Sequence, residues 1–264
     1  MSDRPETPLI DLHCHLLPGL DDGPADLDQA LALARQAAAS GVTVIVATPH
    51  YGLWPYTWTR AQFDQALADL RQALSMAGIA VEVRPGCEAL LTAELLDHLA
   101  TAPTLNHSRY LLVELPLQAH TPYLSDLLFA LQVRGCWPIL AHAERYPVVQ
   151  QDPAWLVPFI ERGLLVQVNA ESLVESRSPR LRQTAEWLVR QGLAHILASD
   201  AHDAVHRPSR LQAAWRWVAA TLGPAPAARL VSEIPAAVLA DQPVVVAPPA
   251  PVRPRRWFAF WGTR

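Results

Sequence analysis

The sequence predicts a (β/α)7-type barrel. Short β-rich runs recur along the chain, helical patterns fill the intervals, and the repeat of roughly 30 residues is that of a βα unit. The runs are LIDLH at 9, VTVIVAT at 42, AVEVRPG at 80, YLLVEL at 110, WPILAH at 137, LLVQVNA at 164 and HILASD at 195. The first interval, DLDQALALARQAAASG, offers Asp26 as N-cap, apolar residues at helical spacing and Gly41 as its stop. RAQFDQALADLRQALSMAG and SPRLRQTAEWLVRQG follow the same plan. Seven such units favour a closed or nearly closed barrel over an open sheet.

Composition narrows the functions available to such a barrel. At 264 residues and 51% apolar the chain has the size of one barrel domain. A net charge of −4 with thinly spread basic residues supplies no phosphate-tracking surface, so nucleic acid is excluded as a partner. MSDRPETP lacks a secretory layout, and no apolar stretch nears the ~20 residues that span a bilayer, so the cytoplasm is the expected compartment. Three cysteines cannot all pair, which suits a reducing environment. All 21 basic residues are arginine; without lysine there is no Schiff base, P-loop lysine or carbamylated-lysine metal bridge. From 241 the chain turns proline-rich, then basic and aromatic. The expected division is therefore a barrel over 1–240 and a tail over 241–264. Arg253, Arg255, Arg256, Trp257, Phe258 and Trp261 would equip that tail for an anionic membrane face or a partner protein.

Barrel active sites lie at the C-terminal ends of the strands. The first run ends in His13 and His15, with Asp22 in the loop after it. The second ends in His50, the third in Glu88, the fourth in Glu114, the fifth in His142 with Arg145 close behind, and the seventh in Asp200 and His202. Only the sixth, ending at Asn169, offers no ligand. One histidine at a strand end is ordinarily a hydrogen-bonded surface residue. Five histidines and four carboxylates converge on one rim, and burying several carboxylates there would be strongly unfavourable unless cations neutralise them. Because residues i and i+2 of a strand share a side, His13 and His15 can hold one ion while Cys14 points away and packs. Imidazole with carboxylate and little thiolate suits Mn²⁺, Fe²⁺ or Zn²⁺, and nine ligands imply two or three ions. Arg145 and Arg207, each just after a ligand, suggest an anionic substrate, most simply a phosphate.

These motifs resemble the PHP (polymerase and histidinol phosphatase) superfamily. IDLHCHLLPGLDDGP, TPHY, GCE, VELP, AHAERY and SDAH followed by RP are similar to its bacterial protein-tyrosine-phosphatase branch, the capsular polysaccharide biosynthesis phosphatases, over about residues 9 to 239. The resemblance implies a distorted (β/α)7 TIM-like barrel and a trinuclear, commonly manganese-activated site. It assigns His13, His15, Glu88 and Asp200 to one ion, Glu88, Glu114 and His142 to a second, and Asp22, His50 and His202 to a third. It also implies a natural substrate, phosphotyrosine in the C-terminal tail of a bacterial tyrosine autokinase that controls capsule or exopolysaccharide export. The sequence departs from the pattern in its tail and in YGLWPYTWTR after the second run, where Tyr51, Trp54, Tyr56 and Trp58 could stack on a phenol ring or on the barrel.

The expected chemistry is in-line attack on phosphorus by metal-activated water. Arg145 and Arg207 would stabilise the phosphoryl oxygens, and His202 or another rim histidine would supply any proton needed. A thiolate phosphatase needs an arginine six positions after its cysteine; Cys14, Cys87 and Cys136 are followed there by Leu20, Ala93 and His142, which excludes that class. The enzymatic rival is a histidinol-phosphate phosphatase or another small-molecule phosphoesterase. A rival of another class is a non-catalytic docking subunit of an export complex, against which the intact ligand set argues.

Overall fold

Each β-rich run forms strand in the computed structural model, which describes residues 8–116 and 123–246. The tail residues from Arg253 to Trp261 lie outside the described residues. The strands are β1 (Leu9–Cys14), β2 (Val42–Ala47), β3 (His50–Tyr51), β4 (Glu82–Pro85), β5 (Glu88–Leu90), β6 (Tyr110–Glu114), β7 (Trp137–Leu140), β8 (Leu165–Asn169) and β9 (Ile196–Ala198). Among the described residues they pair in parallel, in the orders β1-β2-β4 and β3-β5-β6-β7-β8-β9. Backbone bonds also run from the end of β9 to β1: Asp200 N–H donates to His13 O at 2.8 Å, and His15 N–H to Ala201 O at 2.9 Å.

Two predicted strands are broken rather than continuous. The second divides into β2 and β3 across Pro49, which has no N–H for a ladder, and the third into β4 and β5 across Gly86. A Cβ on Gly86 would lie 2.7 Å from Val46 Cγ1 and 2.8 Å from Leu105 Cδ2, so only glycine fits that inward-facing break. The short pieces beyond the breaks, β3 and β5, carry His50 and Glu88 to the rim.

The expected helices form at Leu27–Ala39, Arg60–Met76 and Pro179–Arg190. Asp26 caps the first by accepting from Gln29 N–H at 2.9 Å, a bond worth about 1 kcal/mol. Its apolar stripe, Ala30, Leu33, Ala34 and Ala37, is buried against the sheet. Leu111, Val113, Val166, Val168 and Leu197 of the strands belong to this outer core.

Alternate strand residues turn inward instead: Ile10 and Leu12, Tyr110 and Leu112, Ile139, Leu165, Ile196 and Ala198. Leu105, with Ile234 and Val238 of the helix Ile234–Leu239, closes this inner core from the N-terminal end. Asp241–Val246 then straps the same end. Tyr110 OH donates to Gln242 O at 2.8 Å and accepts from Val244 N–H at 3.0 Å, while Arg109 pairs with Asp241 at 2.9 Å. With that end filled by hydrocarbon, the polar rim has water on its outer side alone.

Candidate metal centre

The strand ends bring the nine expected ligands together. His13, His15 and Asp200 offer donor atoms within 4.8 Å of one another, as do His15, Asp22, His50 and His202, and again His50, Glu88 and Glu114. The ninth, His142, joins through Glu88, its Nε2 lying 2.7 Å from Oε1. His13, His15, Glu88 and Asp200 are buried, whereas Asp22 lies at the mouth with 39% of its side chain exposed.

Spacing and direction test whether this set fits a cation. Around His13 Nε2 stand His15 Nε2 at 3.2 Å, Glu88 Oε2 at 3.3 Å and Asp200 Oδ1 at 3.4 Å; His15 Nε2 lies 3.4 Å from Glu88 Oε2 and 3.5 Å from Asp200 Oδ1. Ligands about 2.1 Å from one ion at the tetrahedral angle sit about 3.4 Å apart, so these four donors have the separations of a coordination shell. His50 Nδ1 is 3.2 Å from Glu88 Oε2 and 3.3 Å from Glu114 Oε1, yet neither His50 Nδ1 nor Glu114 Oε1 has a hydrogen-bond partner. Atoms at bonding distance but not aimed at one another converge on a point between them. A cation fits that point, and a proton does not.

The grouping around His50 differs from the simplest division into three ions. Its Nδ1 faces Glu88 and Glu114, while its Nε2 faces Asp22 Oδ1 at 3.5 Å, beside His202 Nε2 at 3.3 Å from the same oxygen. One imidazole thus stands between two groups of donors.

Electrostatics follow from the crowding. Burial opposes charge on His13, but Glu88 and Asp200 outweigh it and raise its pKa. For His15 burial is likewise overcome, by Asp21 first, and the pKa rises well above the usual histidine value. Burial alone would push the Glu88 and Asp200 carboxyls upward; the surrounding histidines, His13 foremost, hold both well below the usual carboxylate range. The centre is therefore built to keep its carboxylates ionised beside positive charge. His142 at φ 34° and Asp200 at φ 52° adopt left-handed backbone, a strain of about 1–3 kcal/mol each that the surrounding packing maintains.

A supporting layer escaped the sequence reading. Asp21, beside the candidate ligand Asp22, accepts from His15 Nδ1 at 2.6 Å and from His50 N–H at 3.0 Å. Gln167 of β8 accepts from His13 Nδ1 at 3.2 Å and from His142 N–H at 2.7 Å. Its amide donates to Asn169 Oδ1 at 2.8 Å, and Asn169 Nδ2 donates to Asp200 Oδ2 at 2.7 Å. The strand without a candidate ligand thus orients the candidate ligands of its neighbours. These bonds fix the tautomers that turn Nε2 of His13 and His15 inward. The signal for Asp21 was its doubling in DDGP, since a ligating histidine ordinarily donates its other nitrogen to a carboxylate. Gly23 belongs to the same turn: a Cβ there would meet His15 O at 2.5 Å.

Arg145 Nη1 and Arg207 Nη2 reach the same atom, Asp200 Oδ2, at 3.3 and 3.2 Å. Both guanidinium groups are partly exposed at the mouth. Cys14 faces the outer core, and burial holds its thiol well above the usual value.

Comparison with known proteins matches these features. The family model for capsular polysaccharide synthesis, CpsB/CapC, matches residues 9–240. The chain is 31% identical over 255 residues to the tyrosine-protein phosphatase YwqE of Bacillus subtilis, covering 96% of this chain and all of that one. It is 27% identical over 247 residues to the tyrosine-protein phosphatase CpsB of Streptococcus pneumoniae, covering 89% and 99%. A crystal structure from work on YwqE and CpsB, described as unique metal-dependent tyrosine phosphatases, superposes with a TM-score of 0.87 at 31% identity over 93% of this chain and 100% of that one. An organophosphorus hydrolase from Deinococcus radiodurans shares the barrel-like fold alone, with a TM-score of 0.56 at 13% identity over 90% of this chain and 94% of that one. The chain belongs to the CpsB/CapC family of capsular polysaccharide synthesis proteins.

Proposed function

We propose that this protein is a metal-dependent protein-tyrosine phosphatase acting on phosphotyrosine in the tail of a bacterial tyrosine autokinase that governs capsule or exopolysaccharide export. One observation carries the reading: two guanidinium groups converge on a rim that gathers nine candidate cation ligands. Cations beside fixed guanidinium groups suit a doubly charged phosphoryl group.

His13, His15, Glu88 and Asp200 would hold one ion, and Glu88, Glu114 and His142 a second. Asp22, His50 and His202 would hold a third, His50 facing it through Nε2 while its Nδ1 faces Glu88 and Glu114. Mn²⁺ is the proposed metal, with Fe²⁺ and Zn²⁺ as alternatives for the same donors. Bound there, divalent cations supply Lewis acidity, lowering the pKa of water and offsetting phosphoryl charge.

The chain's own groups do the rest. Arg145 and Arg207 turn from Asp200 Oδ2 to grip the phosphoryl oxygens and to hold phosphorus in line for attack. Asp21 Oδ2 keeps the Nδ1 proton of His15, and Gln167 Oε1 that of His13, so neither ring can rotate away. A phenol leaving group, with a pKa of about 10, needs little protonation. His202 Nδ1 donates to Asp200 O at 2.9 Å and its Nε2 faces Asp22, so it serves better as a holder than as a proton source.

We place the catalytic unit at 1–240 in the cytoplasm, where three buried free cysteines stay reduced. No helix among the described residues is long and apolar enough to cross a membrane. Of the tail over 241–264, residues 241–246 strap the barrel, and the basic-aromatic remainder is assigned contact with an anionic membrane face or a partner. The reading is tested by elemental analysis of the purified protein and by assays on a phosphotyrosyl peptide and histidinol phosphate, with and without chelator. Bound transition metal and chelator-sensitive peptide hydrolysis are expected. Preference for histidinol phosphate would overturn the substrate assignment, and chelator-insensitive turnover the metal assignment.

A further inference from the structure

The aromatic segment after β3 divides into two kinds of residue. Trp58 and Tyr51 are structural: Trp58 Nε1 donates to His50 O at 2.8 Å and its ring stacks on buried Phe63, while Tyr51 OH bonds to Thr101 Oγ1 at 2.7 Å. Trp54 and Tyr56 hold nothing comparable in place. Trp54 is 85% exposed, an unusual position for the largest apolar side chain. Tyr56 lies nearly parallel to His50, with centroids 5.4 Å apart and planes 11° from each other. Together with Tyr51, Gly52, Thr57 and Trp58 they line a groove of about 330 Å³. The turn is held by Tyr56 N–H donating to Leu53 O at 2.8 Å.

One wall of this groove, Tyr56, stacks on His50, a candidate ligand of the metal centre. Tyr56 thus borders the rim, and Trp54 lines the same groove. In an aryl phosphate one bridging oxygen separates phosphorus from the ring, so the ring must lie within a few ångströms of the phosphoryl site, beside whatever borders it. Flat apolar faces are what Tyr56 and Trp54 present.

We propose that Trp54 and Tyr56 form the leaving-group platform of the enzyme, stacking the phenol ring of phosphotyrosine while its phosphoryl group occupies the rim, and so select aryl over alkyl phosphomonoesters. This rests on the phosphatase reading above and adds the residues that choose the substrate's organic part.

The test compares binding of phenylphosphonate and methylphosphonate, two non-hydrolysable probes, to the metal-loaded protein by titration calorimetry. Variants are Trp54→Ala, Tyr56→Leu and the conservative Trp54→Phe, with circular dichroism to verify folding. The wild type is expected to prefer phenylphosphonate. That preference should fall roughly three- to tenfold in Trp54→Ala and Tyr56→Leu and be largely kept in Trp54→Phe, the range expected for loss of one aromatic pair. An unchanged ratio, or weakening of both probes alike, would overturn the platform, as would a wild type that binds neither or prefers neither. Should the wild type prefer phenylphosphonate yet fail to hydrolyse a phosphotyrosyl peptide, the phosphatase reading falls and the aryl site stands.

Discussion

The two ends of the barrel are built on opposite terms. At the N-terminal end Leu105, Ile234 and Val238 meet Tyr110 and Leu112 in a hydrocarbon plug, and the strap 241–246 satisfies the Tyr110 hydroxyl twice. At the rim, buried carboxylates and imidazoles crowd one another, two ligands sit in left-handed backbone, and His50 Nδ1, Glu114 Oε1 and His142 Nδ1 lack hydrogen-bond partners. One end is held by hydrocarbon burial, while the other carries strained backbone and unpaired polar atoms. A rim so costly without cations is explained by the chemistry that cations allow.

Loss of a ligand should separate the two ends most strongly. His13→Ala or Glu88→Gln is expected to lower phosphotyrosine kcat/KM by roughly a thousandfold or more, the several kcal/mol of transition-state stabilisation a metal site supplies. The urea midpoint of the chelated protein should not fall with it. A large loss of chelated stability would show that the rim, too, holds the fold together.

The converse substitution is at the plug. Ile234→Ala or Val238→Ala should cost about 2–5 kcal/mol in urea unfolding while leaving kcat/KM at 25 °C near the wild-type value. Equal losses in activity would mean that the ends are coupled.

His195 gives the plug end its own pH signature. Burial, and then Arg229, lowers its pKa to about 4. Above pH 6.5 the ring is neutral in both folded and unfolded chains and stability is whole. As pH falls from 6.5 towards 4 only the unfolded chain takes the proton, and about 3 kcal/mol is lost. Denaturation at pH 7.5 and 4.5 in chelator, wild type against His195→Gln, should show a smaller gap in the variant. Equal gaps would remove His195 as the cause.

The smallest expected effect is at the supporting layer. Asp21→Asn or Gln167→Leu should weaken metal affinity by about 10- to 100-fold, read by competition with a chromogenic chelator. Unchanged affinity would assign these bonds to packing alone.

Candidate ligands could be read from the sequence because they stand in a repeated position, the last residues of β-rich runs, where the barrel topology assigns them one location. Their supports had no such mark. Gln167 sits in the middle of an apolar run, and Asp21 differs from Asp22 by a single position, so only the folded chain tells which carboxylate faces the centre and which holds His15. The aromatic segment was equally divided until packing assigned Trp58 to the barrel and left Trp54 outside.

The first strand marks the limit most sharply. Alternation puts Leu9, Asp11, His13 and His15 on one face, yet Leu9 packs in the outer core while His13 reaches Gln167 and Glu88 across the interior. A register irregularity between Asp11 and Cys14 makes the change, with Asp11 Oδ1 accepting from His13 N–H at 3.3 Å and from Ser199 N–H at 2.9 Å. The sequence by itself determined the alternating architecture, the parallel order and the residue types at the rim, because periodicity and strand ends are local properties. Only the tertiary structure decided which face those histidines take, which polar groups hold them and where the aromatics stand. Each of those depends on packing and hydrogen bonds that exist only once the strands are assembled, such as His13 to Gln167 and Ser199 to Asp11.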